Sequence, residues 1–302
     1  IRRNWLSSRL PIAVVGPKVD LTYHADFLGQ DPAIMGALAD GSHKFAAKLK
    51  KAKRPMIIIG MGALARADGA AMLGKARQIA ESYGVVTKEW NGFNVLHNAA
   101  ARVGGLDLGF LPARGGMGIA AMGKAAKAGK LDMLWLLGAD EIDFEPFASS
   151  FVVYQGHHGD AGAHHADLVL PGAAYTEKDG IYVNTEGRVQ YATRAAFPPG
   201  DAREDWTIIR AVSGAVGKSI GFDTLAELRE ALCADHPHFA VADTIAPAEW
   251  ASFGGRAKLS AEPIGQAFDN FYMTCAISRA SETMAECVRA SSADHGAAVA
   301  AE

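Results

Sequence analysis

Four histidines and one aspartate lie within the ten residues 156–165, directly after a predicted strand. Imidazole and carboxylate groups are good ligands for zinc or iron, and a glycine-rich loop can fold around an ion. Neighbouring histidines, however, point in different directions, and this stretch has no H-x-x-x-H pair on a helix. We therefore expect these histidines to form hydrogen bonds within a loop, and we assign no metal-binding residue.

The glycines Gly60 and Gly62 are a second candidate, because they follow the apolar run 56–59. Backbone N–H groups in such a turn can bind a phosphate, but Ala65 stands where the G-x-G-x-x-G pattern has its third glycine. No acidic residue follows at a matching strand end about 20 residues later. A tight turn from strand to helix is the interpretation we favour, and a nucleotide-binding module that uses these glycines stays an alternative.

The most distinctive stretch is 166–190, ADLVLPGAAYTEKDGIYVNTEGRVQ. Glu177 and Glu186 could act as an acid or a base, but they could equally pair with Lys178 and Arg188 and fix the loops. The cysteines give no support for a nucleophilic site, because none of the three stands next to a histidine in the sequence. The residues alone therefore predict no catalytic residue.

Up to about residue 170, short apolar runs alternate with alanine-rich amphipathic stretches, and glycine or proline stands at each junction. This alternation is typical of a parallel α/β layout. Continuous apolar runs predict interior strands that helices cover on both faces. We predict such strands at 12–15, 56–59, 133–137, 151–154 and 168–170.

Capping and stop residues predict the helices between these strands. We place them at about 32–39, 43–52, 69–84, 93–103 and 117–128. The second helix lies in a basic stretch, 44–54, that holds six cations and no acid. We expect a solvated face there rather than a site for a polyanion, because cations near the end of a helix favour its dipole.

Beyond Pro171 the pattern changes. Two short β-like runs flank the turn residues 184–187, which predicts a hairpin. Capping-box spacing at Asp201 and at Thr224 predicts helices over about 202–216 and 225–234. The remainder shows no strand periodicity and is expected to fray at its end.

The chain has 302 residues with 30 basic and 33 acidic side chains, so its field argues against a nucleic-acid partner. Its longest weakly polar run, 56–65, is far short of the ~18 apolar residues of a membrane span.

Cys233, Cys275 and Cys287 have no C-x-x-C spacing, which suits a reducing compartment and provides no cluster or zinc motif. We expect about two domains and, since the chain begins at Ile1, a fragment of a longer protein.

The stretch 166–190 resembles the segment of molybdopterin-dependent oxidoreductases with the form A-D-x-V-L-P-x-x-x-x-x-E-x-x-G-T-x-x-N-x-E-G-R. More narrowly, motifs along nearly the whole chain resemble the family of large iron–sulfur subunits of respiratory complex I, an NADH-quinone oxidoreductase. They are V-D-L-T-Y at 19–23, G-S-H at 41–43, G-A-A at 69–71, L-D-L-G at 106–109, L-G-A-D at 137–140, Y-Q-G-H-H-G-D at 154–160, R-E-D-W at 203–206, and F-Y-M-T with I-S-R-A within 271–280.

The resemblance implies an α/β fold with doubly wound parallel sheets in two subdomains, followed by a helical and irregular C-terminal tail. We expect residues 1–54 to form part of the first α/β subdomain and residues 55–170 to form the second. Residues 171–216 would return to the first subdomain with the hairpin, and residues 217–302 would form a helical extension.

Three departures from the family pattern limit what the chain can do. The family's ferredoxin-like N-terminal region, which holds the [2Fe-2S] and [4Fe-4S] clusters, has no counterpart here, and three cysteines cannot hold one Cys₄ cluster. The barrel that completes the pterin cage has no counterpart either. Where the molybdenum enzymes bind the dinucleotide after a strand, Asp140 and Glu141 would repel a pyrophosphate. We therefore expect no catalytic, cofactor-binding or metal-binding residue in this segment, and iron–sulfur clusters only in an N-terminal region outside it.

The resemblance thus implies a cluster-free scaffold in the peripheral arm of the proton-pumping NADH:quinone oxidoreductase, supporting electron transfer from NADH to quinone. Its partners would be the flavin- and NADH-binding subunits and the quinone-side subunits of that arm, without nucleic acid and without a membrane span. It would lie at the cytoplasmic face of a bacterial inner membrane, or on the matrix side in mitochondria.

The alternative is a fragment of an active molybdopterin-dependent oxidoreductase of the formate dehydrogenase or nitrate reductase kind. Asn184, Glu186 and Arg188 would then lie near the cofactor, and the metal ligand would lie upstream.

Overall fold

The computed structural model describes residues 1–266 and 270–299. Within them the chain is mixed α/β, with four small sheets, three of them parallel, and a helical C-terminal region. The predicted α/β class with parallel sheets is therefore confirmed. No helix in the described ranges is both long enough and apolar enough to span a bilayer.

Contacts divide the chain into two compact units. The first unit comprises Ile1–Ala100 and Ala246–Asp269, and the second comprises Ala101–Ile245 and Asn270–Glu302. The subdomain boundaries predicted after residues 54, 170 and 216 stay a prediction.

The first unit contains two pairs of parallel strands. In chain order its elements are α1 (Arg2–Ser8), β1 (Ala13–Val15), β2 (Asp26–Gly29), α2 (Ala33–Asp40), α3 (Ala46–Lys51), β3 (Ile57–Gly60), α4 (Met61–Leu64), α5 (Gly69–Tyr83) and β4 (Phe93–Leu96). Strand β1 pairs with β2, and β3 pairs with β4. The strands predicted at 12–15 and 56–59 are thus confirmed to within a residue or two.

Helix α5 begins after Asp68 and ends at Gly84, as predicted. Gly84 ends it with a left-handed φ of 63°, whereas the Asp68 side chain makes no capping hydrogen bond and binds Arg66 instead. On its buried face Gly74 lies so close to Gly255 that a Cβ at position 74 would be 2.2 Å from the carbonyl oxygen of Gly255. The second stretch of the first unit therefore packs directly on this helix.

The helix predicted over 93–103 is wrong. Residues Phe93–Leu96 form strand β4, and a helix begins only at Arg102. The ring of Phe93 packs against Trp250 and Phe253, with ring centroids 5.2 and 5.5 Å apart. These residues form a strand because they pair with β3 and because Phe93 packs in this aromatic cluster. Both contacts are non-local, and such contacts commonly override local propensity.

The basic stretch 44–54 is only partly helical, because α3 begins at Ala46 rather than near residue 43. Its six cationic side chains are exposed, as predicted. Lys48 pairs with Asp26 at 2.6 Å, and the guanidinium of Arg54 lies over the ring of Trp90.

The second unit is built on one parallel sheet. Its elements are α6 (Arg102–Asp107), α7 (Ile119–Lys127), β5 (Met133–Leu137), β6 (Phe151–Gly156), α8 (Ala161–His165), β7 (Leu168–Pro171), β8 (Gly180–Val183), β9 (Val189–Ala192), α9 (Asp205–Ala215), α10 (Leu225–Asp235), α11 (Ala276–Arg279) and α12 (Glu282–Val299). Strands β5, β6 and β7 pair in parallel in that order. The antiparallel pair β8–β9 is the predicted hairpin.

Of these three parallel strands, β6 fits the interior strand that the sequence predicts. Every residue of β6 after Phe151 is buried. In β5, by contrast, burial alternates, and Met133 and Leu137 are 52% and 46% exposed. In β7 Leu168 and Val169 are also exposed. Burial on alternate residues leaves one face of β5 exposed, whereas the adjacent Leu168 and Val169 leave both faces of β7 exposed. A continuous apolar run therefore does not mean burial on both faces here.

One predicted capping box forms and one does not. The Thr224 hydroxyl accepts from the N–H of Glu227, whose carboxylate accepts from the N–H of Thr224 in return. The box predicted at Asp201 is wrong, because α9 begins only at Asp205. The backbone of Arg203 instead bonds to Pro171 and Ala173, which holds it in an extended conformation.

Candidate functional site

The sheet of the second unit brings three of the sequence candidates to one edge. Its register aligns Leu137 with Gln155 and Gly156 with Pro171, so the carboxyl ends of the strands lie side by side. The loops that follow contain the L-G-A-D-E motif, the histidine-rich stretch and the T-E-K residues. We call the loops 138–142, 156–160 and 172–178 the carboxyl edge. Open α/β sheets bind ligands in this position.

A cavity of about 400 Å³ lies at this edge, where β6 and β7 end. Its polar lining includes His157, His158, Glu177 and Asp201. The carboxylate of Glu177 accepts a hydrogen bond from the N–H of Ala174 at 2.9 Å, so this side chain also fixes its own loop.

The two adjacent histidines bond to each other. Their Nδ1 atoms are 2.6 Å apart, so one ring donates and the other accepts, and both rings cannot be imidazolium at once. Burial lowers the pKa of His157, and the charges of His158 and Lys178 lower it further. The hydroxyl of Tyr154 donates to the carbonyl of His158. These contacts agree with histidines that hydrogen-bond within a loop.

The described part of the chain contains no group of three or more histidine, cysteine, aspartate or glutamate residues placed to hold a metal ion. The absence of metal-binding residues stays a prediction.

Behind the cavity, a fully buried amide supports the edge. The Gln155 side-chain nitrogen donates to the carboxylate of Asp205 at 3.0 Å and to its backbone carbonyl at 3.2 Å. Lys178 pairs with the other oxygen of the same carboxylate. The sequence suggested Glu177 as the partner of Lys178, but the lysine bonds to Asp205 instead.

On the other side of the edge, three carboxylates surround Arg279. Asp140, whose side chain is 3% exposed, lies 2.8 Å from Nη2. Glu141 lies 3.1 Å from Nη1, and Asp160 lies 2.5 Å from Nε. Burial opposes the charge on Arg279, but its hydrogen bonds to Asp160 and Glu141 outweigh burial and raise its pKa. Hydrogen bonding to Arg279 lowers the pKa of Asp160.

The remaining candidates lie elsewhere. Asn184, Glu186 and Arg188 form the turn of the β8–β9 hairpin, where Arg188 pairs with Glu186 at 3.3 Å and donates to the carbonyl of Asp243. Gly60 ends β3 directly before the short helix α4, as the strand-to-helix turn requires. Nucleotide binding by the Gly60 turn stays untested.

Sequence reasoning missed Gln155, Asp205 and Arg279 as residues of this edge. Each had a signal, because all three lie in motifs that carry the family resemblance. What the sequence could not supply is their partners, which lie 27 to 139 residues away.

The fold and its carboxyl edge define an α/β chain whose parallel strands end side by side at one edge. The chain belongs to the molybdopterin oxidoreductase family, whose profile matches residues 1–215. A second profile, which describes the C-terminal region of the G subunit of NADH-ubiquinone oxidoreductase, matches residues 244–287.

Two relatives from Rickettsia are similar over almost the whole chain, which confirms the resemblance. The G subunit of NADH-quinone oxidoreductase from Rickettsia felis is 45% identical over 281 residues, covering 93% of this chain and 40% of that protein. The protein of the same name from Rickettsia conorii is 44% identical over 284 residues, covering 94% and 40%. The chain thus spans about two-fifths of the length of these relatives. Among solved structures, acetylene hydratase from Pelobacter acetylenicus aligns with 33% of this chain and 16% of its own, with a TM-score of 0.30 and 18% identity.

The carboxyl edge does not fit the dinucleotide cofactor that the family implies. Three carboxylates face a single guanidinium there, and one of them is buried. The diphosphate of a dinucleotide would meet this surplus of negative charge and would be repelled.

Proposed function

We propose that this chain is a cluster-free scaffold segment of the G subunit of the proton-pumping NADH:quinone oxidoreductase, respiratory complex I. The observation that carries the proposal is the 45% identity, over 93% of the chain, to a protein named as the G subunit of NADH-quinone oxidoreductase. The segment would support electron transfer from NADH to quinone without a catalytic residue of its own.

The surface of the second unit supports a role in packing against other proteins. Phe110 is 82% exposed, Leu111 is 61% exposed and Phe197 is 80% exposed. Large apolar side chains at such exposure are costly in water, and clusters of them commonly mark protein contacts. Phe110 and Leu111, which are adjacent in sequence, would pack against neighbouring subunits of the peripheral arm.

The remaining parts of the proposal concern the clusters, the neighbouring subunits, the location of the assembly and the subdomains. The [2Fe-2S] and [4Fe-4S] clusters would lie in a preceding region, because the three cysteines here fall one short of a Cys₄ site. The flavin- and NADH-binding subunits and the quinone-side subunits would be its neighbours. The assembly would lie at the cytoplasmic face of a bacterial inner membrane, or on the matrix side in mitochondria. The subdomains would follow the predicted boundaries at 54, 170 and 216.

Copurification tests this function. The protein, tagged in its natural cells and isolated in mild detergent, should bring down a flavin-containing assembly that reduces quinone with NADH. Recovery of the folded protein without that assembly would reject the proposal. A Phe110→Asp, Leu111→Asp variant should lose the assembly, whereas Arg114→Asp, which adds negative charge close by in the sequence without removing apolar surface, should keep it.

Metal analysis separates this function from an active molybdopterin oxidoreductase. The acidic carboxyl edge disfavours that alternative, so the purified chain should contain no stoichiometric molybdenum and no cluster absorbance. Either signal would exclude a cluster-free scaffold.

A further inference from the structure

The contact between Arg279 and the carboxyl edge joins two distant parts of the sequence. The three carboxylates, Asp140, Glu141 and Asp160, precede Arg279 by 139, 138 and 119 residues. They belong to the part that matches the molybdopterin oxidoreductase family, whereas Arg279 belongs to the part that matches the C-terminal profile. One side chain therefore connects the two family segments within the second unit.

The geometry of the contact is specific to a guanidinium. Nε, Nη1 and Nη2 each donate to a different carboxylate. A planar guanidinium presents its donors in a fixed fork, whereas an ammonium is a compact point charge with three rotatable donors and no such fork. The arginine is thus matched to the site by shape as well as by charge.

Both sides of the contact are held in place by bonds of their own. On the carboxylate side, the N–H of Gly162 donates to Asp140, and Asp160 caps α8 by accepting from Ala161. On the arginine side, the N–H of Cys275 donates to the hydroxyl of Ser278, and the N–H of Arg279 donates to the carbonyl of Cys275.

Without the guanidinium, this edge would be unfavourable. Asp140 is almost fully buried, and an unpaired buried carboxylate carries a large desolvation penalty. Two further carboxylates close by would add like-charge repulsion.

We propose that Asp140, Glu141 and Asp160 form a guanidinium-binding site whose ligand is Arg279. This internal ligand fastens the C-terminal segment to the carboxyl edge and occupies the side of the edge that would otherwise face a nucleotide.

Hydrogen–deuterium exchange of the full chain tests the proposal. Arg279→Ala should raise the exchange rate of amides in 275–287 and of Gly162 about tenfold or more, because charge-assisted hydrogen bonds are lost. Ethylguanidinium at tens of millimolar supplies the group that this variant lacks and should restore protection. Ethylammonium at the same ionic strength should not.

Two further variants keep the test decisive. Arg279→Lys, which retains the charge, should still exchange about tenfold faster than the natural protein at these amides. Arg289→Ala, which removes an exposed arginine from α12, should leave them unchanged. The proposal would be overturned if Arg279→Lys exchanged no faster than the natural protein, or if ethylguanidinium and ethylammonium restored protection equally. It would also be overturned if Arg289→Ala accelerated exchange as much as Arg279→Ala does.

Discussion

The side-chain nitrogen of Gln155 lies 3.0 Å from the carboxylate of Asp205, although 50 residues separate them in sequence. Gln155 is fully buried in the central strand β6, and Asp205 begins α9. The same carboxylate binds Lys178 from the loop after β7. Asp205 therefore ties the sheet, this loop and the helix together behind the cavity.

Replacing Asp205 should destabilise the second unit. Asp205→Ala leaves the buried amide of Gln155 without its carboxylate acceptor and leaves Lys178 without its partner. An unsatisfied buried donor costs about 1–3 kcal/mol, so we expect a loss in that range. The midpoint of urea unfolding measures it. Asp201→Ala, an exposed acid four residues earlier, should change the midpoint little. Equal midpoints for both variants would contradict the role assigned to Asp205.

Two helical glycines should respond in opposite directions to the same change. A Cβ at Gly162 would lie 2.5 Å from the ring of Tyr154 and 2.8 Å from Cβ of Asp140, whereas one at Gly105 would meet nothing within 4 Å. Gly105→Ala should stabilise the protein by about 0.5–1 kcal/mol through helix propensity. Gly162→Ala should instead destabilise it by about 1–3 kcal/mol, because the packed ring must move. Thermal unfolding of the two variants shows whether each substitution raises or lowers the stability. Stabilisation by both would refute the close packing of Gly162 against Tyr154.

Elements with strong local signals could be predicted from the sequence. Gly84 marks the end of α5, and Thr224 with Glu227 marks the start of α10. Strand β4 could not be predicted, because its conformation depends on pairing with β3 and on aromatic partners about 160 residues away. Local periodicity contains no information about such partners.

In the candidate site, too, the sequence indicated residue types but not their distant partners. Its histidines and carboxylates could be selected by residue type and spacing, and the sequence indicated that Asp140 and Glu141 would repel a diphosphate. Their ion pairs with Arg279 could not be foreseen, because nothing local relates a C-terminal arginine to a loop 138 residues earlier.

The contribution of Arg279 to stability should fall at acid pH. Arg279 holds the pKa of Asp160 below its usual value. The stabilisation is therefore complete above about pH 4 and is lost as the pH falls through the folded-state pKa. Asp140 and Glu141 face the same guanidinium, and the charge of His164 also acts on Asp160. The difference in urea midpoint between the natural protein and Arg279→Gln should thus be larger at pH 7 than at pH 3.

The control for this measurement is Arg289→Gln, which removes a positive charge from an exposed position in α12. Its midpoint should stay close to that of the natural protein at both pH values. A difference for Arg279→Gln that stays constant from pH 7 to pH 3 would show that the arginine acts through packing rather than through ionised carboxylates.

The histidine pair should make stability depend on pH in a different range. Burial, assisted by the charges of His158 and Lys178, holds the pKa of His157 below the ordinary 6.5. As the pH falls below about 6.5, the unfolded chain takes up this proton before the folded chain does, so the folded state loses stability until the folded-state pKa is passed. Histidine NMR titration should give a pKa for His157 below 6.5, and His158→Gln should raise it, because one nearby charge is removed. His157→Gln should abolish this loss of stability, whereas His164→Gln should retain it. A pKa at or above 6.5 for His157 would contradict the partly buried, hydrogen-bonded pair.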